Sequence, residues 1–131
     1  MTRSLRAFLV AVDLGFVAYW LATLLPVLPS PGSLVGDHDA ILASWNLSFL
    51  PLDGIASVLG LGAVSLHRRR DERASLAALA SLALTSASGL MAVSFWALRC
   101  DFDPWWWLPN LVLLFGPFVF VGPLTHAVLR R

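Results

Sequence analysis

The sequence predicts an all-α integral membrane protein: a four-transmembrane-helix bundle, both termini cytoplasmic, built as a single membrane domain over residues 1–131. Three observations lead there. Hydrophobic residues make up 58% of the chain and charged residues 13%, about half the share of roughly 25% usual in soluble domains. The apolar residues fall into four runs, each long enough to cross a hydrocarbon layer of about 30 Å. Charges collect in the short breaks between the runs, and eight of the nine arginines fall on one side.

The first span covers residues 5–25, after the basic start that holds Arg3 and Arg6. A cleaved signal peptide would share that basic start. The run is nevertheless about 20 residues long, Asp13 interrupts its middle, and Pro26, Pro29 and Pro31 follow without a small-residue cleavage pattern. It is therefore read as a retained span. Residues 27–40 are expected to form a loop, since Pro29-Ser30-Pro31-Gly32-Ser33 cannot continue a helix. Asp37-His38-Asp39 ends that loop as a solvated acidic stretch.

The second span covers residues 41–66. Pro51 is expected to kink it and free a carbonyl one turn earlier. Gly54, Gly60 and Gly62 are small positions where another helix can approach. The run from His67 to Arg73 is too short for a domain and reads as a tight loop. The third span covers residues 74–98 and carries a stripe of small residues: Ala74, Ala78, Ser81, Thr85, Ser88 and Ala92. Close helix packing, with hydroxyls returned to carbonyls four residues back, is the expected use of that stripe; a polar groove is the alternative. The fourth span covers residues 105–129. Trp105-Trp106-Trp107 opens it as an interfacial belt. Three successive helical residues cannot share a face, so one of them is free to cover a cavity. Pro109, Pro117 and Pro123 make this span the most irregular.

Arg3 and Arg6 precede the first span. Arg68, Arg69, Arg70 and Arg73 separate the second from the third, and Arg130 and Arg131 close the chain. Only Arg99 falls on the other side, beside Asp101 and Asp103. With loops this short, the positive-inside rule places both termini in the cytoplasm. The arginines act as topology signals, so no nucleic-acid partner is expected. All nine bases are Arg and seven of eight acids are Asp, a bias that fits a high-GC bacterium; the four spans then make the chain an expected multi-pass protein of the bacterial plasma (inner) membrane.

The candidate site is the polar face inside these spans. An acid in hydrocarbon needs a partner, a proton or water. Asp13 and Asp53 each lie within about two residues of the middle of their span, so ~3 Å from the midplane. The two spans are joined by a short loop and are expected to be neighbours. Asp13 and Asp53 are therefore candidates for a paired proton donor and acceptor. Two carboxylates in a low dielectric cannot both be charged cheaply, so one is expected to hold a proton. Asn46, seven residues before Asp53, and Ser57, four after it, extend the Asp53 face. Trp20 lies seven residues after Asp13, and Tyr19, Trp45, Trp96 and Asn110 sit at similar outer depths. These residues are expected to line a pocket above the acids, with walls suited to a carbocation or an ammonium group. A purely structural role, each acid bonded to a hydroxyl or amide, is the competing expectation.

No metal and no cofactor is expected. His38, His67 and His126 are scattered and lack ligand spacing. Cys100 is the single cysteine and has no histidine placed beside it. Gly60-Leu61-Gly62 lies in mid-span and is no phosphate loop.

The order of features resembles the YvaD-like small bacterial membrane proteins, a family of unknown function. Asp13-Leu14-Gly15-Phe16 with Tyr19-Trp20, Trp45-Asn46-Leu47-Ser48-Phe49 with Pro51-Leu52-Asp53, and Asn110 carry the resemblance. It implies a fold and no activity. Trp45, Ser48-Phe49, Asp53 and Gly116-Pro117-Phe118 are distantly similar to the emopamil-binding and sigma-2 receptor bundles. That likeness implies Asp53 as a ligand-facing acid with Asp13 as its partner. Small multidrug exporters share the four spans and a first-span acid, but their tryptophan before that acid and glycine-threonine after it are absent around Asp13. An exporter would also have to dimerise. The reading is thus a bundle with a pocket for a small hydrophobic molecule, with isomerase or cyclase chemistry by proton transfer as one use. A non-catalytic accessory role and a proton-coupled exporter are the alternatives. The bilayer and a small lipophilic ligand are the expected partners, and no residue pattern fixes an oligomeric state.

Overall fold

Six helical segments make up four membrane-length units in a computed structural model, which describes residues 1–25 and 40–129. The expected 27–40 loop, its prolines and Asp37-His38-Asp39 lie outside the described residues apart from Ala40, as do Arg130 and Arg131. Among the described residues there is no strand.

Helix α1 spans Arg3–Leu24. Thr2 starts it by accepting the backbone N–H of Leu5 on its hydroxyl at 3.2 Å. The second span is two helices, α2 (Ala40–Leu47) and α3 (Phe49–Arg68). The break falls at Ser48, whose hydroxyl donates to the Trp45 carbonyl at 2.6 Å. Pro51 lies in the first turn of α3, where its missing N–H costs no helical bond. The expected irregularity is present, and it lies on the N-terminal side of the proline.

Helix α4 spans Arg73–Leu98. The turn before it has Arg70 at φ 57°, and the turn after it has Cys100 at φ 54°. In both, a following N–H reaches back to the helix: Asp71 to Leu66 and Asp101 to Trp96, each near 3 Å. Helix α5 spans Pro104–Phe115. Asp103 accepts the Trp105 N–H at 3.0 Å and Pro104 follows at the first helical position, a pairing that suits a helix start. Helix α6 spans Phe118–Leu129, separated from α5 at Gly116-Pro117. Pro117 cannot bond the Leu113 carbonyl, and the helix restarts beyond it. Ser86 of α4 donates to the neighbouring Leu114 carbonyl at 2.9 Å, replacing some of what the break removes.

Helices α3 and α4 form the centre, with α1 packed on α3 and α5 on α4. Small residues permit the close approach. Gly89 brings α4 against the backbone of α5, and Ala56, Ala63 and Ala78 are fully buried. All six members of the α4 stripe are buried. At the arginine-rich end, Leu5, Leu9, Ala63, Ala78, Leu82 and Leu124 form one dry core. Phe8 of α1 meets Phe120 of α6 there, with ring centroids 5.2 Å apart. Many large apolar side chains point outward, among them Val58, Leu76 and Val119. In water that would be a liability; in four helices of membrane length it is the lipid-facing surface.

Candidate functional site

The antiparallel register of α1, α3 and α4 builds two polar layers seven residues apart on every helix. In the layer nearer the tryptophan-rich end, Trp20, Asp53 and Ser88 meet. The Trp20 indole N–H donates to Asp53 Oδ2 at 3.0 Å, and the Ser88 hydroxyl donates to Oδ1 at 2.7 Å. Each Asp53 oxygen thus has one donor, from a different helix. In the other layer, Asp13 and Ser81 meet at Gly60, where a Cβ would fall on Asp13 Oδ2 and 2.7 Å from Ser81 Oγ. Ser57 lies between the layers and donates to the backbone carbonyl of Asp13 at 3.4 Å.

A cavity of about 500 Å³ lies above the Asp53 layer, among α1 to α5. Tyr19, Trp20, Trp45, Asn46, Asp53, Trp96 and Asn110 all line it. Aromatic contacts set its wall. Trp45 stacks on Phe95 at 3.7 Å between centroids, meets Phe49 and Trp96 edge-on, and Trp96 stacks on Trp106 at 5.8 Å. Offset and edge contacts of this kind hold such rings in fixed orientations. Of the tryptophan triplet, Trp106 and the exposed Trp105 reach the cavity. Trp107 instead donates its indole N–H to the Asp101 carbonyl at 2.8 Å.

Polar groups in the cavity are few and held in place. The Tyr19 hydroxyl donates to Asn46 Oδ1 at 3.0 Å, tying α1 to α2. The Asn110 amide donates to the Trp106 carbonyl at 2.7 Å, within its own helix. Asp53 is 4% exposed and sits at the floor. A carboxylate offers about four lone-pair positions, and two are taken, so the floor retains acceptor capacity toward the cavity.

The expected depth match between the acids needs correction. Asp13 and Ser57 do not line the cavity, and Asp13 makes no hydrogen bond to Asp53. The neighbouring packing of α1 and α3 is present, but the middles of the two spans do not coincide. The second span runs two turns further outward as α2, beyond the end of α1 at Leu24. Trp20, not Asp13, therefore reaches Asp53. The expected return of α4 hydroxyls to their own carbonyls also fails at Ser88, which serves Asp53 instead. Ser88, expected to serve packing, is a site residue, and the wall residues Phe16, Phe49 and Leu113 join it. Its seven-residue spacing from Ser81, matching Asp13–Trp20 and Asp53–Gly60, was the available signal. Among the described residues no group of three His, Cys, Asp or Glu side chains is placed to hold a metal ion.

The profile of a family of unknown function (DUF5360) matches residues 5–131. A Bacillus subtilis (strain 168) protein, described as uncharacterized protein YvaD, is 40% identical over 129 residues, covering 98% of this chain and 94% of its own length. No solved structure matches the chain.

Proposed function

The chain belongs to this family of unknown function (DUF5360), and from that premise we propose that it binds a small lipophilic molecule in the aromatic cavity, in the plasma membrane of a bacterium. The observation that carries the reading is Asp53: a nearly buried acid fixed by donors from two helices at the floor of a mainly apolar cavity. Intramembrane acids are expensive and mark functional positions. The volume of about 500 Å³ falls within the range of roughly 300–1,000 Å³ typical of small-molecule sites. Apolar walls with a few fixed polar groups are the usual pattern of such sites, and both are present. The ligand's apolar body packs on Trp45, Trp96 and Trp106, and its polar end meets Asp53. Should the site transfer a proton, Asp53 is the residue that faces the ligand. The tryptophan before the first-span acid and the glycine-threonine after it that mark the small exporters are absent around Asp13, which favours a binding bundle over an exporter.

The test uses full-length protein purified in detergent. Organic extracts of the wild type and of Asp53→Asn are compared by mass spectrometry. A small molecule that co-purifies with the wild type should fall by at least about tenfold in the variant, equivalent to about 1.4 kcal/mol of binding. Circular dichroism should be unchanged, because the amide keeps the shape of the carboxylate. Identical extracts from two folded proteins would refute the proposal.

A further inference from the structure

The second polar layer lies outside the cavity and is stranger in its chemistry. Asp13 is 0% exposed, and neither of its carboxyl oxygens has a hydrogen-bond partner. Ser81 Oγ of α4 is equally shielded and equally unpartnered. Both border Gly60 of α3, whose missing side chain makes room for them. Beneath them Leu9, Ala63, Ala78 and Leu82 are 0–1% exposed, so that side of the layer is dry.

We propose that the Asp13–Gly60–Ser81 layer is an intramembrane proton-binding site, in which Asp13 is an uncharged carboxylic acid that gives its O–H to Ser81 Oγ. The charge census leads to this assignment. Asp13 is the one charged residue of α1 beyond Arg6. On α3, the nearest ionisable groups to Gly60 are Asp53 and His67, each about two turns away. On α4, Arg73 lies eight residues before Ser81, and no charge follows it in the helix. On α6, His126 is the sole ionisable side chain. An ionised Asp13 would therefore stand without a counter-ion or a sufficient set of donors, which is the costliest state for a buried acid. Ser57 offers no relief, because its hydroxyl goes to the Asp13 backbone carbonyl. A bound cation is a poor answer too. Hard cations collect about six oxygen ligands, and this layer presents two carboxyl oxygens and one hydroxyl. A proton answers both orphans at once. The carboxylic O–H is donated to Ser81, and the Ser81 hydroxyl is then free to bond a carbonyl of its own helix.

Infrared spectroscopy of the full chain in lipid, near neutral pH, tests the site without reference to any cavity ligand. The carbonyl stretch of a carboxylic acid is distinct from the stretches of a carboxylate. Wild type and Asp53→Asn should both show a carboxylic-acid band. Asp13→Asn should lose it, and Ser81→Ala should shift its frequency by removing the acceptor. Carboxylate bands alone in the wild type would overturn the proposal, and so would a carboxylic-acid band that survives Asp13→Asn. If Asp13→Asn does not fold, the wild type and Ser81→Ala decide the matter: a band whose frequency ignores Ser81→Ala overturns the assignment.

Discussion

Replacing Gly89 by alanine should force a separation between α4 and α5, whose backbones meet at that point. A Cβ at Gly89 would stand 2.5 Å from Leu114 N, 2.7 Å from Asn110 O and 2.9 Å from Leu113 C, all backbone atoms of α5. Ordinary contact begins at 3.4 Å, so α4 and α5 must separate by about 0.9 Å. No side-chain rotation can relieve this, because the obstacles are main chain. Overpacking of this kind costs about 1–3 kcal/mol. Alanine's better helix propensity returns about 0.5–1 kcal/mol. The net loss expected for Gly89→Ala is thus about 1 kcal/mol, taking the middle of each range. Gly62→Ala is the control: nothing lies within 4 Å of its added Cβ, so only the propensity gain of about 0.5–1 kcal/mol remains. The same chemical change at two glycines should therefore act with opposite signs. Reversible unfolding in mixed detergent, read by tryptophan fluorescence, measures both. A Gly89→Ala protein as stable as Gly62→Ala would refute the close packing of α4 on α5. It would also remove the support for Asn110 and Leu113 as a fixed wall of the cavity.

Trp20→Phe and Ser88→Ala each remove one donor from Asp53 and should each cost about 1–3 kcal/mol in the same unfolding assay. The double variant should cost a different amount from the sum of the two, because both donors serve one carboxylate; strict additivity or two neutral variants would count against the layer. Sidedness is checked by a membrane-impermeant maleimide on intact cells. Cys100 is exposed at the tryptophan-rich end and should react, as should a Ser33→Cys probe placed by the arginine count alone. Arg69→Cys in a Cys100→Ser background should react only after permeabilisation, and the reverse pattern would overturn the cytoplasmic termini. Arg69 is exposed, which suits it to this probe.

The helices were legible because hydrocarbon thickness and backbone satisfaction leave few options for apolar runs of this length. The four spans begin and end within about two residues of their expected limits, apart from the interruptions at Ser48 and Gly116-Pro117. The aromatic and amide residues of the outer half were legible by depth, and Tyr19, Trp45, Asn46 and Trp96 do share one cavity. Axial register was not legible. Depth measured from the middle of each run treats every span as centred, whereas α2 extends past the end of α1. That offset moved Asp13 away from Asp53 and gave its expected place to Trp20. Ser88 was placed with the packing stripe and not with the site, because a serine there has the same appearance whether it returns to its own helix or serves a neighbour.

The seven-residue spacing of the two polar layers also bears on how the chain avoids mis-assembly. Lipid is as apolar as leucine, so aliphatic contacts discriminate poorly between alternative alignments of inserted helices. Polar and small residues must do it here. Sliding α1 outward along α3 by seven residues, about 10 Å, would leave the apolar surfaces much as they are. It would also set Asp13 against Asp53, carboxyl against carboxyl, and carry Trp20 to Asn46. Sliding it the other way would ask the larger Trp20 ring to take the place that the Asp13 carboxyl fills at Gly60, against Ser81 Oγ. Both neighbouring alignments are penalised, one by the loss of the Trp20–Asp53 hydrogen bond and one by bulk. In this bundle the costly acids therefore also act as an error check on assembly, whatever the cavity above them holds.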